Sequence, residues 1–196
     1  MTNRWVEGLF AFFGLLLCVP VFVFAADAEN INPQKTPKKE IGIDIPAENL
    51  VKGTLPTMKI AEASEGLAKR LLEAIASDNP ESVRDLFFPP EPFDILKDIK
   101  RPRDYHTKLV GWFIADIHRE HSRLKEDVKI EFDRFTPGSC RWKPIGTEYN
   151  KIAYWSCSRN SIFVKAGTEK ITIKVVSMIN WGKNWYVTHL GPIPAE

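Results

Sequence analysis

The chain has 196 residues, of which 44% are hydrophobic and 27% are charged, and its formal net charge is +2 at pH 7. This length suits one domain of ordinary size with its own core and is short for two domains. A charge so close to neutral gives no basic footprint for nucleic acid or for an anionic membrane, so neither is expected as a partner of the mature protein.

The chain begins with an apolar segment. A run of 18 residues at 9–26 follows Arg4, and polar sequence follows the run. A basic start, a short apolar stretch and small residues at its end are typical of a secretory signal peptide. Val23 and Ala25 favour cleavage after Ala25, and a second site lies three residues later. An uncleaved anchor is the alternative, since roughly 20 residues span a bilayer. A signal peptide at 1–25 predicts a periplasmic or secreted protein.

Residues 26–55 are predicted to be a flexible linker. They contain three prolines and a cluster of lysines, and they show no sustained apolar period. Such a segment has too little apolar surface to offset the entropy lost on folding. The linker joins the signal peptide to a single domain, which is predicted to occupy residues 56–196.

Three helices are predicted at the start of this domain. Apolar residues recur every three or four positions over 57–75. Asn79 as an N-cap and Pro80 at the first helical position begin a second, shorter helix, which the prolines of FPPEPF are expected to end. A third apolar stripe extends over 104–125.

Beyond the third helix the apolar residues follow a period of two. Alternation over 128–133 and a Pro-Gly turn predict strands, and four further stretches rich in β-branched and aromatic residues continue the pattern. Those stretches are 151–158, 161–165, 171–180 and 184–190. Helices followed by antiparallel strands indicate an α+β domain, with the helices packed on one face of a curved sheet.

Two cysteines, Cys140 and Cys157, remain once the signal peptide is removed. Two thiols in an oxidising compartment usually pair, and a hairpin that turns at 146–150 would place them on opposite strands. We therefore predict a disulfide bond. A reactive thiol beside Arg141 or Arg159 is the alternative.

The order of elements, with LLEAIASDNPESVRDLF at 71–87 and WGKNWYVTH at 181–189, resembles the nuclear-transport-factor-like superfamily, which includes ketosteroid isomerases and polyketide cyclases. The resemblance covers about residues 57–190. It implies a cone: three N-terminal helices on the concave face of a bent antiparallel sheet, a pocket for a small hydrophobic ligand, and a homodimer through the outer sheet face. Catalytic members hold an acidic base inside the cone, and no fixed motif assigns that base to a residue here.

The stretch ADIHREH at 115–121 places two carboxylates and two imidazoles close together. At about 100° per residue they do not converge: Asp116 and Glu120 share one flank of the third helix, and His118 and His121 share the other. Two histidines supply at most two of the ligands that zinc needs, so no metal site is predicted. A solvated helix edge with ion pairs is the preferred interpretation, ahead of a flank that contacts a ligand.

Two further histidines are candidates for acid–base chemistry. His106 lies on the apolar stripe of the third helix, and His189 shares one face of the last strand with Trp185 and Val187. If that face looks toward the helices, the two imidazoles and a carboxylate of the third helix could act together. Ordinary core and rim histidines are the preferred interpretation. The candidate catalytic residues are His106, Asp116, Glu120 and His189.

Aromatic side chains supply the candidate ligand contacts, namely Trp112, Tyr154 and Trp185. Trp142 and Tyr149 are expected at the surface, where they would contact a partner. Nucleophile-elbow, P-loop and dinucleotide motifs are absent from the sequence, and no cofactor is expected.

The expected function is an exported, non-enzymatic binding module that engages a small apolar ligand or a protein partner. The alternative is a cofactor-independent acid–base enzyme, an isomerase, dehydratase or cyclase. A structural protein of the envelope, held by an uncut N-terminus, is the third hypothesis.

Overall fold

A computed structural model describes residues 42–53, 57–124 and 128–192, so the predicted signal peptide and most of the predicted linker lie outside the described residues. The helical elements are α1 (Ala47–Leu50), α2 (Thr57–Ala76), a 3₁₀ segment (Pro80–Leu86), α3 (Pro90–Leu96) and α4 (Pro102–His121). The strands are β1 (Ile130–Thr136), β2 (Ser139–Lys143), β3 (Tyr154–Ala166), β4 (Glu169–Trp181) and β5 (Asn184–His189). Within these ranges no helix has both the length and the apolar character needed to cross a bilayer.

The α+β class is confirmed, but the helical layer differs from the prediction. The second predicted helix is a 3₁₀ segment that Val83 interrupts with non-helical backbone angles. The prolines expected to end it begin α3 instead. The first N–H groups of a helix have no carbonyl partner within it, so Pro90, which lacks an N–H, loses no hydrogen bond at this position. The described helices all follow residue 41, and four α-helices with a 3₁₀ segment replace the three N-terminal helices that we predicted.

The short helix α1 falls within the range predicted to be linker. Its Asn49 is buried, and the Nδ2 group donates to the carbonyl of Ala153 over 3.0 Å. The Oδ1 atom accepts a hydrogen bond from the backbone N–H of Gly182 over 2.7 Å. One amide side chain thereby connects α1 to the turn between β4 and β5, and the described part of the range is attached to the domain.

The strands form one open antiparallel sheet in the order β1-β3-β4-β5, and β2 also pairs with β3. β3 and β4 have 13 residues each. β1 pairs with residues 161–166 of β3, and β2 pairs with residues 154–158. The two strands predicted at 151–158 and 161–165 are therefore one strand, which changes its partner part of the way along.

Asn160 marks the point where β3 changes partner. Its buried Nδ2 group donates to the carbonyls of Cys157 over 3.0 Å and Val175 over 3.1 Å, and its Oδ1 accepts from the N–H of Gly138 over 3.1 Å. A Cβ atom on Gly138 would overlap the carbonyl oxygen of Ser158. Only glycine therefore allows the turn between β1 and β2 to pass so close to β3.

The predicted disulfide is confirmed. Cys140 and Cys157 stand directly opposite each other in the β2–β3 pair and are bonded. They join the two strands that border residues 144–153, the loop that contains the predicted turn. The bond therefore braces one end of the sheet.

The core lies between the helices and one face of the sheet. On β4, alternation places Ile171, Ile173 and Val175 on that face. Ile173 and Val175 are buried together with apolar residues of the helices and of β3. The principal partners are Leu71, Ile75, Phe113, Ile117, Ile162 and Val164.

Candidate functional site

A cavity of about 550 Å³ lies between the helices and the end of the sheet that β2 completes. Phe93 of α3 and Tyr105 and Leu109 of α4 form the helical wall. The strand wall includes Ser156 and Ser177 of β3 and β4. The volume falls within the range of about 300–1,000 Å³ that is typical of small-molecule sites.

The polar lining of this cavity is predominantly basic. Four cationic side chains line it, Lys97, Arg141, Lys143 and Arg159, against one carboxylate, Glu148. Four positive charges and one negative charge give the described lining a formal charge of +3 when its histidine is neutral. The two arginines are exposed at the rim, whereas both lysines are partly buried. The cavity therefore combines an apolar wall with an excess of positive charge.

Glu148 and Tyr154 form a hydrogen-bonded pair in the wall. The Tyr154 hydroxyl donates to Glu148 Oε2 over 2.6 Å, and the Lys143 ammonium forms an ion pair with Oε1. Burial and the carboxylate neighbour raise the pKa of Tyr154 above its ordinary value. Burial opposes ionisation of Glu148, but the hydrogen bonds from Lys143 and Tyr154 outweigh it and lower the pKa of this carboxyl. At neutral pH the pair is a phenol donor and a carboxylate that already accepts two hydrogen bonds.

Lys97 directly follows α3 and places its ammonium group in the cavity. The Nζ atom donates to the backbone carbonyl of Glu148 over 3.1 Å and lies 5.8 Å from the centroid of the Tyr154 ring. Burial lowers the pKa of Lys97, and although the Glu148 carboxylate acts in the opposite direction, the net pKa stays below the ordinary value. The site therefore contains an ammonium group that is partly withdrawn from water.

His189 also lines the cavity, but through a register shift that alternation did not predict. Val187 stands opposite Met178, and His189 stands opposite the residue that precedes Met178 in β4, Ser177. Ser177 and Met178 are neighbours in β4 and point to opposite faces, and residues paired across two strands share a face. Val187 and His189 therefore lie on different faces of the sheet, whereas we predicted that they share one face. Burial lowers the pKa of His189, and the charge of Asp116 only partly offsets this effect.

His106 has a structural position in the core. Its ring packs against the rings of Phe87 and Phe93, with centroid distances of 5.4 Å and 5.2 Å. The Nε2–H group donates to the carbonyl of Phe88 over 2.7 Å. The imidazole thus joins α4 to the segment that precedes α3, and it does not line the cavity that holds His189.

Asp116 and Glu120 form the ion pairs along α4 that we predicted, but they are buried, with only 6% and 8% of their surface exposed, and are not solvated as expected. Asp116 Oδ2 accepts a hydrogen bond from the N–H of Gly191 over 2.6 Å, and the carboxylate forms an ion pair with Arg119. Glu120 pairs with Arg123 over 2.6 Å. The two carboxylates stabilise α4 and the chain beyond β5, and neither lines the cavity.

The two histidines on the other flank of α4 contact the end of α2. His118 Nδ1 lies 2.6 Å from the carboxylate of Asp78, and His121 Nδ1–H donates to the carbonyl of Ile75 over 2.9 Å. Across the described ranges, no three His, Cys, Asp or Glu side chains are placed so that they could hold a metal ion.

Of the three aromatic candidates for ligand contact, only Tyr154 lines the cavity, while Trp112 and Trp185 pack against the core. Tyr149 is 76% exposed, as predicted, and is a loop residue with a positive φ. Trp142 is partly buried, because its ring packs edge-on against that of Trp155.

A second opening, of about 810 Å³, lies between the 3₁₀ segment and α4. Pro89, Pro90 and Val110 contribute apolar lining, and Arg84 and Arg103 lie within it. Arg84 forms an ion pair with Glu81, and Arg103 pairs with Glu91 and Asp94. His106 also lines this opening, and its Nε2–H already donates to the Phe88 carbonyl. Because these groups already have partners, the groove offers fewer groups to a ligand than the cavity does.

The sequence carries little signal for Lys97, Lys143 and Glu148. Lys97 follows a helix that was not predicted, and Glu148 belongs to the loop between β2 and β3. Such residues interrupt no apolar period, and their charges resemble ordinary surface charges. A paired β2–β3 hairpin was the one available indication, because it brings this loop toward the end of the sheet.

Comparisons of the chain with protein-family models, with curated proteins and with solved structures find no match.

Proposed function

We propose that the protein is an exported, non-enzymatic binding module that holds a small organic ligand in the cavity between the sheet and the helices. The observation that carries the proposal is a cavity of about 550 Å³ whose wall combines aromatic rings with hydrogen-bonding side chains. In ligand sites the apolar wall supplies affinity and a few polar groups orient the ligand.

Export is part of this proposal. The first 25 residues have the charge and apolar pattern of a signal peptide, and the Cys140–Cys157 disulfide is of a kind that persists in oxidising compartments. A periplasmic or secreted location is therefore favoured. The intact mass of the protein recovered after export tests it: cleavage after Ala25 is expected, and retention of residues 1–25 would support the envelope-anchored alternative.

Binding is favoured over acid–base catalysis by the positions of the candidate groups. His189 alone among the four lines the cavity, while His106, Asp116 and Glu120 form hydrogen bonds or ion pairs elsewhere. A general base must reach the proton that it removes, and these three do not share a space with a ligand in the cavity. Kinship with the nuclear-transport-factor-like superfamily remains part of the proposal, supported by helices on one face of an open sheet.

Fluorescence titration with two probes tests the proposal. The probes are 8-anilinonaphthalene-1-sulfonate and N-phenyl-1-naphthylamine, which has the same ring skeleton without the sulfonate. We expect saturable binding of at least one probe, with one molecule per chain. Ser177→Phe places a ring in the cavity and should weaken that binding by about tenfold or more, which corresponds to roughly 1.4 kcal/mol.

The matched control is Thr136→Phe, which adds the same ring at an exposed position of β1 outside the cavity. It should leave probe affinity unchanged, and circular dichroism should show that both variants retain the fold. If neither probe saturates, or if Ser177→Phe binds as tightly as the wild type, the cavity is not a binding site.

A further inference from the structure

We infer that the cavity selects small organic anions, with the oxyanion head held by Lys97 and an apolar body packed against the helical wall. The inference rests on the proposed function, because it names the ligand class for the same cavity. A carboxylate or sulfonate on an aromatic or aliphatic body has this chemistry.

The excess positive charge of the lining is the first support. Glu148, the one carboxylate in the described lining, already pairs with Lys143 and accepts the Tyr154 hydroxyl. Lys97 and the rim arginines, Arg141 and Arg159, form no ion pair with any described carboxylate. The Glu148 carboxylate attracts Lys97 through space but forms its ion pair with Lys143, so the three cations together retain an excess of positive charge. The two at the rim would attract an anion toward the opening.

The position of Lys97 is the second support. The ammonium group donates one hydrogen bond, to the Glu148 carbonyl, and an ammonium group has three donors. Its charge is partly withdrawn from water, so an anion brought next to it replaces lost hydration by a charge-assisted hydrogen bond. Burial lowers the pKa of this lysine, and a bound anion would raise it again.

The backbone around Lys97 is held in place before any ligand binds. The Lys97 N–H donates to the carbonyl of Phe93 over 3.0 Å. On either side, the N–H of Asp98 donates to the carbonyl of Tyr149 over 2.6 Å, and the N–H of Lys151 donates to that of Leu96 over 2.7 Å. An ammonium group on a fixed backbone loses less conformational entropy on binding, so its contribution to affinity is larger.

The apolar wall determines the rest of the ligand. Tyr105 on α4 is partly exposed and lines the same space as Lys97. Phe93 and Leu109 line it too, each with a small exposed part of its surface. An inorganic anion would leave this surface uncovered, and an uncharged apolar molecule would leave two of the three ammonium donors unused. A ligand with an anionic head and an apolar body would bind the ammonium group and cover the apolar wall at the same time.

The two fluorescent probes test the inference, because they differ only in the sulfonate. The quantity measured is the ratio of their dissociation constants in wild type and in Lys97→Met. We expect the substitution to weaken binding of 8-anilinonaphthalene-1-sulfonate by about tenfold or more, as for the loss of a charge-assisted hydrogen bond, and to leave N-phenyl-1-naphthylamine within about twofold. Lys170→Met, at the opposite end of the β3–β4 pair, should change neither constant.

Two further measurements keep the inference testable if Lys97→Met folds poorly. Lys97→Arg keeps the positive charge and should retain sulfonate binding. Wild-type affinity for the sulfonate probe should fall as sodium chloride is raised, while affinity for the uncharged probe should not fall.

Equal effects of Lys97→Met on both probes, or a sulfonate affinity insensitive to the substitution and to salt, would overturn the inference and leave the proposed function standing. If neither probe binds wild type, the proposed function fails, and the inference fails with it.

Discussion

Ile173 and Ser177 lie on the same face of β4, yet their surroundings differ. Ile173 is 1% exposed, stands opposite Ile162 and packs with the helices, whereas Ser177 stands opposite Ser158 and lines the cavity. One face of one strand therefore contributes to a close-packed core at one end and to an open space at the other. Small hydroxyl side chains in place of branched apolar ones leave the volume that a ligand would need.

The boundary between these two halves coincides with the change of partner along β3. β1 pairs with β3 along the packed half, and β2 pairs with β3 along the cavity half. Arg159 and Asn160 lie between the two paired regions of β3. Arg159 has a positive φ, which is uncommon for a residue other than glycine. The local break in regular backbone allows one continuous strand to serve two environments.

The largest expected effect separates the two halves by stability. Ile173→Ala should lower the free energy of unfolding by about 3 kcal/mol, because it leaves a cavity in a packed core. Ser177→Ala on the same face removes a hydrogen bond with the Thr188 hydroxyl but no packed apolar group, and should cost about 1 kcal/mol. Urea denaturation of the two variants measures both values. Similar losses would show that the two halves are packed alike.

The second prediction concerns the brace on the cavity half. Replacing Cys140 and Cys157 together by serine should cost about 3 kcal/mol, because the bond closes a loop between residues 17 positions apart and restricts the unfolded chain. Thermal unfolding of the double variant should match that of reduced wild-type protein. A double variant as stable as oxidised wild type would show that the disulfide does not stabilise this end of the sheet.

A smaller loss is expected at the chain beyond β5. Asp116→Ala leaves the buried N–H of Gly191 without its acceptor and should cost about 2 kcal/mol. Asp98→Ala is the matched control, since the Asp98 carboxylate is exposed and its ion pair with Lys151 is long, at 3.8 Å. This substitution should cost less than about 0.5 kcal/mol. Equal urea midpoints for the two variants would contradict the structural role of Asp116.

The smallest effect is a pH dependence that originates in the cavity. Burial lowers the pKa of His189 below its ordinary value of 6.5, so the unfolded chain binds a proton at a higher pH than the native chain does. This histidine therefore contributes stability above the unfolded pKa, and the contribution is lost as pH falls through the folded pKa. We expect wild type to lose more stability between pH 7.5 and pH 5 than His189→Gln. Parallel pH profiles would contradict this assignment.

Local patterns in the sequence predicted much of the fold but little of the site. The apolar period of α2 and the alternation in β4 both correspond to elements in the structure, because burial of one face imposes its period on the chain. The prolines at 89 and 90 misled the prediction, because proline both ends a helix and begins one. The angular spacing of helical residues placed Asp116 and Glu120 on a common flank of α4. That spacing gives no information about which other segment of the protein covers the flank.

The amino-acid pattern alone was sufficient for the α+β class and for the Cys140–Cys157 pair, since both depend on local periodicity and on a short separation along the chain. The tertiary structure decided which side chains share the cavity. Lys97 meets the Glu148 carbonyl across 51 positions of sequence, and a single extra residue in β5 turns His189 to the face of Ser177. Loop closure and strand register determine such contacts, and neither leaves a periodic signal in the sequence.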